Sequence, residues 1–117
     1  MSLLRVAALA LGLLLLGCTS APAPVGTPAA TLAIAATNSV FDKSVLEAPA
    51  DAPFAIVFTN NDTVPHNVAV SGGPPGTKGE IFTGPATRTY VFPAMSAGTY
   101  SFLCDVHPEM AGTLTVQ

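Results

Sequence analysis

Charge is scarce in this chain, and basic charge is the scarcer sign: four Lys and Arg stand against seven Asp and Glu in 117 residues. A protein that binds nucleic acid needs a basic stripe to displace counterions, so that class is excluded. Nor is there a polybasic cluster to hold the chain on anionic lipid. Histidine and cysteine number two each and methionine three, so any metal or nucleophile site must be drawn from a handful of side chains. The apolar run from Val6 to Leu16 falls short of the ~20 residues that a stable membrane-spanning helix needs. No segment carries a helical period over a useful length, and the length allows one domain.

What is present begins at the N-terminus. Arg5 gives a short positive region, and Val6 to Leu16 follows as an apolar run of signal-peptide length. The run ends in Leu15-Leu16-Gly17-Cys18, which resembles a bacterial lipobox. That resemblance implies removal of residues 1–17, a lipid on the Cys18 sulfur, and an extracytoplasmic protein (periplasm or cell surface) anchored to a bacterial membrane. The mature chain then keeps Lys43, Lys78 and Arg88 against seven acidic side chains, a net charge of −4. Residues 18–30, with Thr19 to Ala30 reading TSAPAPVGTPAA, form an extended tether able to reach roughly 35–40 Å at about 3.1 Å per residue. Residues 31–117 are the folded domain.

In that domain apolar residues recur two apart. Leu32 and Ile34 form one such set; Phe54, Ile56 and Phe58 another; then Val68 and Val70, Tyr90 and Phe92, Tyr100, Phe102 and Cys104, and Leu114 and Val116. Side chains two apart share one face of a strand, so each set marks a strand with one buried side. Turn signals separate them at Asn60-Asn61-Asp62, Gly72 to Gly76, Gly84-Pro85 and Ala97-Gly98. The pattern predicts an all-β, antiparallel Greek-key β-sandwich of seven to eight strands.

The chemistry concentrates near the C-terminus, in Tyr100-Ser-Phe-Leu-Cys104-Asp-Val-His107-Pro-Glu-Met110-Ala-Gly112. Cys104, His107 and Met110 are separated by two-residue gaps around one tight loop, which can aim all three at a common centre. Thiolate, imidazole and thioether are soft donors that suit copper better than magnesium, calcium or structural zinc. A fourth donor must come from elsewhere, and His66, where a turn enters a strand, is the other histidine. Two imidazoles, one thiolate and a weak axial thioether make the donor set of a blue-copper electron-transfer site. Met110 competes with Met95, which precedes the strand ending in Cys104 and so belongs at the far end of the sandwich. A free Cys is often a buried structural thiol and a Met often core packing; the shared spacing is what favours ligation.

The segments NDTVPHNVAV and GTYSFLCDVHPEMAGTLTV resemble the cupredoxin family, which includes plastocyanin and especially amicyanin, whose Cys-x2-His-x2-Met loop is equally short. The similarity spans roughly residues 31–117. It implies one copper ion cycling between Cu(I) and Cu(II), with His66, Cys104 and His107 as equatorial ligands and Met110 axial. It also implies that Asn67 ties the two ligand loops together by hydrogen bonds. The residue after the cysteine is often Ser or Thr in better-known members and is Asp105 here, which leaves the side-chain partner of Asn67 open and puts a negative charge near the copper. Val64, Pro65 and Pro108 are either plain exposed residues or, on the resemblance, the edge around His107 where partners dock. The reading is therefore an exported one-electron carrier between redox proteins, monomeric and not an enzyme. A copper carrier or buffer without a redox role is the alternative.

Overall fold

The computed structural model describes residues 25–117; the signal peptide at 1–17 and the lipidation residue Cys18 lie outside them. The described residues form strands and no helix. In order these are β1 (Thr31–Thr37), β2 (Val40–Phe41), β3 (Val45–Ala48), β4 (Phe54–Asn60), β5 (Pro65–His66), β6 (Ala69–Ser71), β7 (Phe82–Thr83), β8 (Ala86–Phe92), β9 (Gly98–Leu103) and β10 (Ala111–Val116). They assemble as two four-stranded sheets, β2-β1-β4-β8 and β3-β10-β9-β6, with a short β5-β7 pair.

The period-two reading finds the inward faces. Phe54, Ile56 and Phe58 on β4 are fully buried, and Ile34, Val70, Tyr90, Phe92, Phe102, Leu114 and Val116 join them in one core. The sandwich is all-β as expected, but its pairing is mixed. β1 runs parallel to β4, and β3 runs parallel to β10, while the other pairs are antiparallel. Alternation reports which face of a strand is buried and says nothing about the direction of its neighbour, so the parallel pairs were invisible to it. β2 was also missed, being too short to display a period, as was β3, where the apolar but exposed Val45 hides the alternation of Leu46 and Ala48. β2 closes on β1 through the pair Thr37↔Val40, with Asn38 and Ser39 between them at φ 53° and 57°. Both central residues in the left-handed region make a type I′ turn, whose twist matches that of the strands it joins.

The two sheets meet across aromatic rings. Phe41 packs against Phe58 on its own sheet, with centroids 6.1 Å apart, and against Phe102 on the facing sheet at 5.5 Å. Phe58 in turn packs edge-on against Phe82 at 5.5 Å. β4 and β9 both end at one pole, and there the loops carrying His66 and Cys104 begin. At the opposite pole Met95 is buried and its carbonyl accepts the Asp51 amide, as its sequence position required. The chain enters at that same far pole, where the Ala29 amide donates to the Pro53 carbonyl and the Ala30 carbonyl accepts from Ala55.

Gly112, the second residue of β10, has no room for a side chain. A Cβ there would lie 2.3 Å from Cζ of Phe102 and 2.7 Å from the Ser44 carbonyl oxygen. Gly112→Ala should therefore destabilise the metal-free protein by about 1–3 kcal/mol, the usual cost of overpacking a core. Urea unfolding followed by circular dichroism measures this, and an unchanged midpoint would contradict the close approach.

Candidate metal centre

Cys104 follows directly on the end of β9, and β10 begins just after Met110. The loop between them is closed by two hydrogen bonds, Cys104 N–H to the Met110 carbonyl at 3.0 Å and Met110 N–H to the His107 carbonyl at 2.9 Å. The narrow turn forces Cys104, His107 and Met110 to the same pole. His66 arrives from the β4 side through a different turn, 38 residues away in sequence.

The structure brings three of the sequence-named residues into one cluster. The Nδ1 atom of His66 lies 3.8 Å from the Cys104 sulfur, and that of His107 lies 3.9 Å from it. The ligating atoms of all three residues fall within 4.8 Å of one another. A first-row ion held trigonally at about 2.0–2.1 Å from imidazole nitrogen and about 2.3 Å from thiolate needs N···S separations of about 3.8 Å. Those separations are present among the side chains as they stand. Cys104, His66 and Met110 are buried, while His107 is half-exposed. Met110 is brought to the same loop and inside the core.

The orientation of His66 comes from a residue the sequence reading counted only as part of a turn. Its Nε2 donates to the Asp62 carboxylate at 2.8 Å. A carboxylate only accepts, so this bond puts a proton on Nε2, and in the neutral ring it is then Nδ1 that offers its lone pair on the side facing Cys104. Asp62 also accepts the backbone amides of Asn38 at 2.7 Å and Ser39 at 2.9 Å. The Ser39 amide is the largest influence holding its pKa below the ordinary 3.8, with burial opposing and the Asn38 amide and the His66 ring adding to the lowering. The β1–β2 turn is thereby fastened to a buried imidazole.

Asn60, also read only as a turn signal, is fully buried. Its amide donates to the carbonyls of Val64 and Phe82, both at 2.9 Å, and its side-chain oxygen accepts the Asp62 amide at 2.8 Å. It therefore shapes the bend that leads into His66. An Asn and a carboxylate placed six and four residues before a histidine are the signal that could have drawn attention to both.

Asn67 is buried beside His66. Its amide donates to the Gly79 carbonyl at 3.0 Å and to the Asp105 carboxylate at 2.9 Å, while its oxygen accepts the Asp105 backbone amide at 2.8 Å. The partner left open in the sequence is Asp105 itself, bonded through both side chain and backbone. The segment carrying His66 is in this way latched to the one carrying Cys104.

A family model for the cupredoxin-like domain matches residues 6–116. The chain belongs to the cupredoxin-like family. Among curated proteins it is similar to amicyanin-alpha of Methylorubrum extorquens, with 36% identity over 66 residues, covering 54% of each chain. The chain thus matches about half the length of that relative. Among solved structures this cupredoxin-like chain superposes on auracyanin B with a TM-score of 0.67 at 24% identity, covering 79% of this chain and 91% of that one. Auracyanin A of Chloroflexus aurantiacus, described as a "blue" copper protein, gives a TM-score of 0.62 at 27% identity, covering 74% and 98%.

The buried amide of Asn60 supplies a direct test of how the His66 turn is built. Asn60→Ala strands two carbonyls and one amide, and should cost the metal-free protein at least about 2 kcal/mol, since each buried unsatisfied group costs about 1–3 kcal/mol. Denaturant unfolding at neutral pH is the measurement. A loss under half that size would mean that water replaces the side chain easily.

Proposed function

We propose that this cupredoxin-like domain is a one-electron carrier between redox proteins, built on one copper ion held by His66, Cys104, His107 and Met110. The observation that carries the reading is the convergence of two imidazole Nδ1 atoms on one buried thiol at 3.8 and 3.9 Å. Bound copper would supply a couple between Cu(I) and Cu(II). Everything else is done by the chain. Asp62 fixes the His66 ring, Asn67 and Asp105 latch the two ligand segments, and the backbone bonds around Met110 hold the loop. Donors fixed by their own framework move little when the charge of a bound ion changes, and small movement favours rapid electron exchange. Four protein donors also leave no place on the ion for a substrate, which is why the reading is a carrier and not an enzyme.

His107 is the least buried of the four; Val106 and Pro108 beside it are exposed, as are Val64 and Pro65 just before His66, whose ring lies 4.7 Å from that of His107. This apolar rim is the natural place for a redox partner to approach the ion. Adding Cu(II) to the purified apoprotein should produce an intense blue or green thiolate-to-copper absorption band. Cys104→Ser should abolish that band; a variant that kept it would sink the assignment.

The proposal extends to location. On the lipobox-like reading, residues 1–17 are removed, Cys18 carries lipid, and residues 18–30 link it to the domain. The chain enters the sandwich at the pole away from the ligands, so such an anchor leaves the metal pole free to face away from the membrane. One acyl chain binds membranes only marginally, so two or more chains at this terminus are required. Cys18→Ala should move the protein from the membrane fraction to the soluble one while leaving the copper band intact. Retention of residues 1–17 on the native membrane-bound protein, read by mass spectrometry, would contradict the cleavage step.

A further inference from the structure

We propose that Asp105 is a positioning residue that also sets the reduction potential, its carboxylate holding the centre toward Cu(II) while Lys78 offsets part of that charge. This rests on the copper-carrier reading above and adds to it the residue that tunes the site.

Asp105 is bonded to Cys104 in the chain and to Asn67 in space. Its Oδ2 accepts from the Asn67 amide at 2.9 Å, and its own backbone amide returns a bond to the Asn67 oxygen at 2.8 Å. Asn67 is buried and follows His66 directly. The carboxylate is therefore held at a defined place, one residue along the chain from Cys104 and one hydrogen bond from the residue that follows His66. Where a hydroxyl residue would supply the same latch without charge, Asp supplies the latch and a full negative charge. Such a charge stabilises the more positive oxidation state.

The other oxygen, Oδ1, faces Lys78 Nζ at 3.5 Å, with the Lys side chain 72% exposed and the Asp side chain 29% exposed. Both residues line the wall of an open groove bounded by the loop from Gly72 to Thr77. An ion pair this exposed is weak and screened by salt, so Lys78 reduces the field of Asp105 without cancelling it. A purely structural latch and a tuning charge are then separable. Asp105→Asn keeps an acceptor for the Asn67 amide and keeps the backbone amide, and it removes the charge together with the exposed ion pair to Lys78.

The experiment is spectroelectrochemistry on the copper-loaded chain. Asp105→Asn should keep the absorption band and raise the ratio of reduced to oxidised protein at a fixed ambient potential by about tenfold, equivalent to 59 mV for a one-electron couple. Lys78→Gln should shift the potential the other way by less, and that shift should vanish near 1 M salt, where the screening length is about 3 Å. An intact band with an unchanged potential in Asp105→Asn overturns the tuning role and leaves only a latch. If Asp105→Asn fails to fold or to hold copper, Asp105→Ser, which offers a hydroxyl to the latch without charge, decides: a raised potential supports the proposal, and an unchanged one overturns it. A wild-type protein without the band overturns the carrier reading and this inference with it, whereas a wild-type band with an unresponsive Asp105→Asn overturns this inference alone.

Discussion

The distance between the two sheets is the quantity on which the rest of the molecule depends. His66 follows the sheet containing β4, and Cys104 ends the facing sheet at β9, so their donors coincide only if the layers are held at a fixed separation. Phe41 sits between Phe58 and Phe102 and sets that separation where it matters, near the pole that carries the ligands. Interiors of this kind are packed to crystal-like density. A change of one methylene there is felt as a displacement of one donor relative to another.

Core packing brings the two ligand segments to within a few ångströms, and polar bonds then settle the last fraction. Three buried or half-buried groups share this work. Asn60 shapes the turn, Asp62 holds the His66 ring in one orientation with a proton on Nε2, and Asn67 joins the His66 segment to the Cys104 segment. No buried side-chain nitrogen or oxygen among the described residues lacks a partner. A network of this kind rigidifies a site only when every member is satisfied, and here it is.

The inward faces of β4, β8 and β10 were legible because one side of each strand is buried and the residue alternation records it. The gathering of His66, Cys104 and His107 was legible because Cys, His and Met at short spacing have few other reasons to occur together, and Met95 was assigned to the far pole by its place before the strand that ends in Cys104. The direction of β1 against β4 left no trace in the sequence, since parallel and antiparallel neighbours bury the same face. Strands β2 and β5, at two residues each, are too short for any period. Asp62 and Asn60 were read as turn formers, which they are, because the bonds that give them a second role run to Ser39, Phe82 and His66 and form only when the chain is folded. Asp105 was visible as an anomaly, and its pairing with Asn67, 38 residues away, exists only in the folded chain.

The turn at Asn38 and Ser39 has a bearing on how this protein could be re-engineered. Asn38 is exposed, the turn is two residues long, and such hairpin tips ordinarily accept tags, insertions or new chain termini. Here both amides of the tip are committed to the carboxylate that orients His66. Lengthening or cutting the hairpin would release that carboxylate and, through it, the imidazole. The Ala97-Gly98 bend, at the pole away from the ligands, is the place where added sequence leaves the metal pole undisturbed.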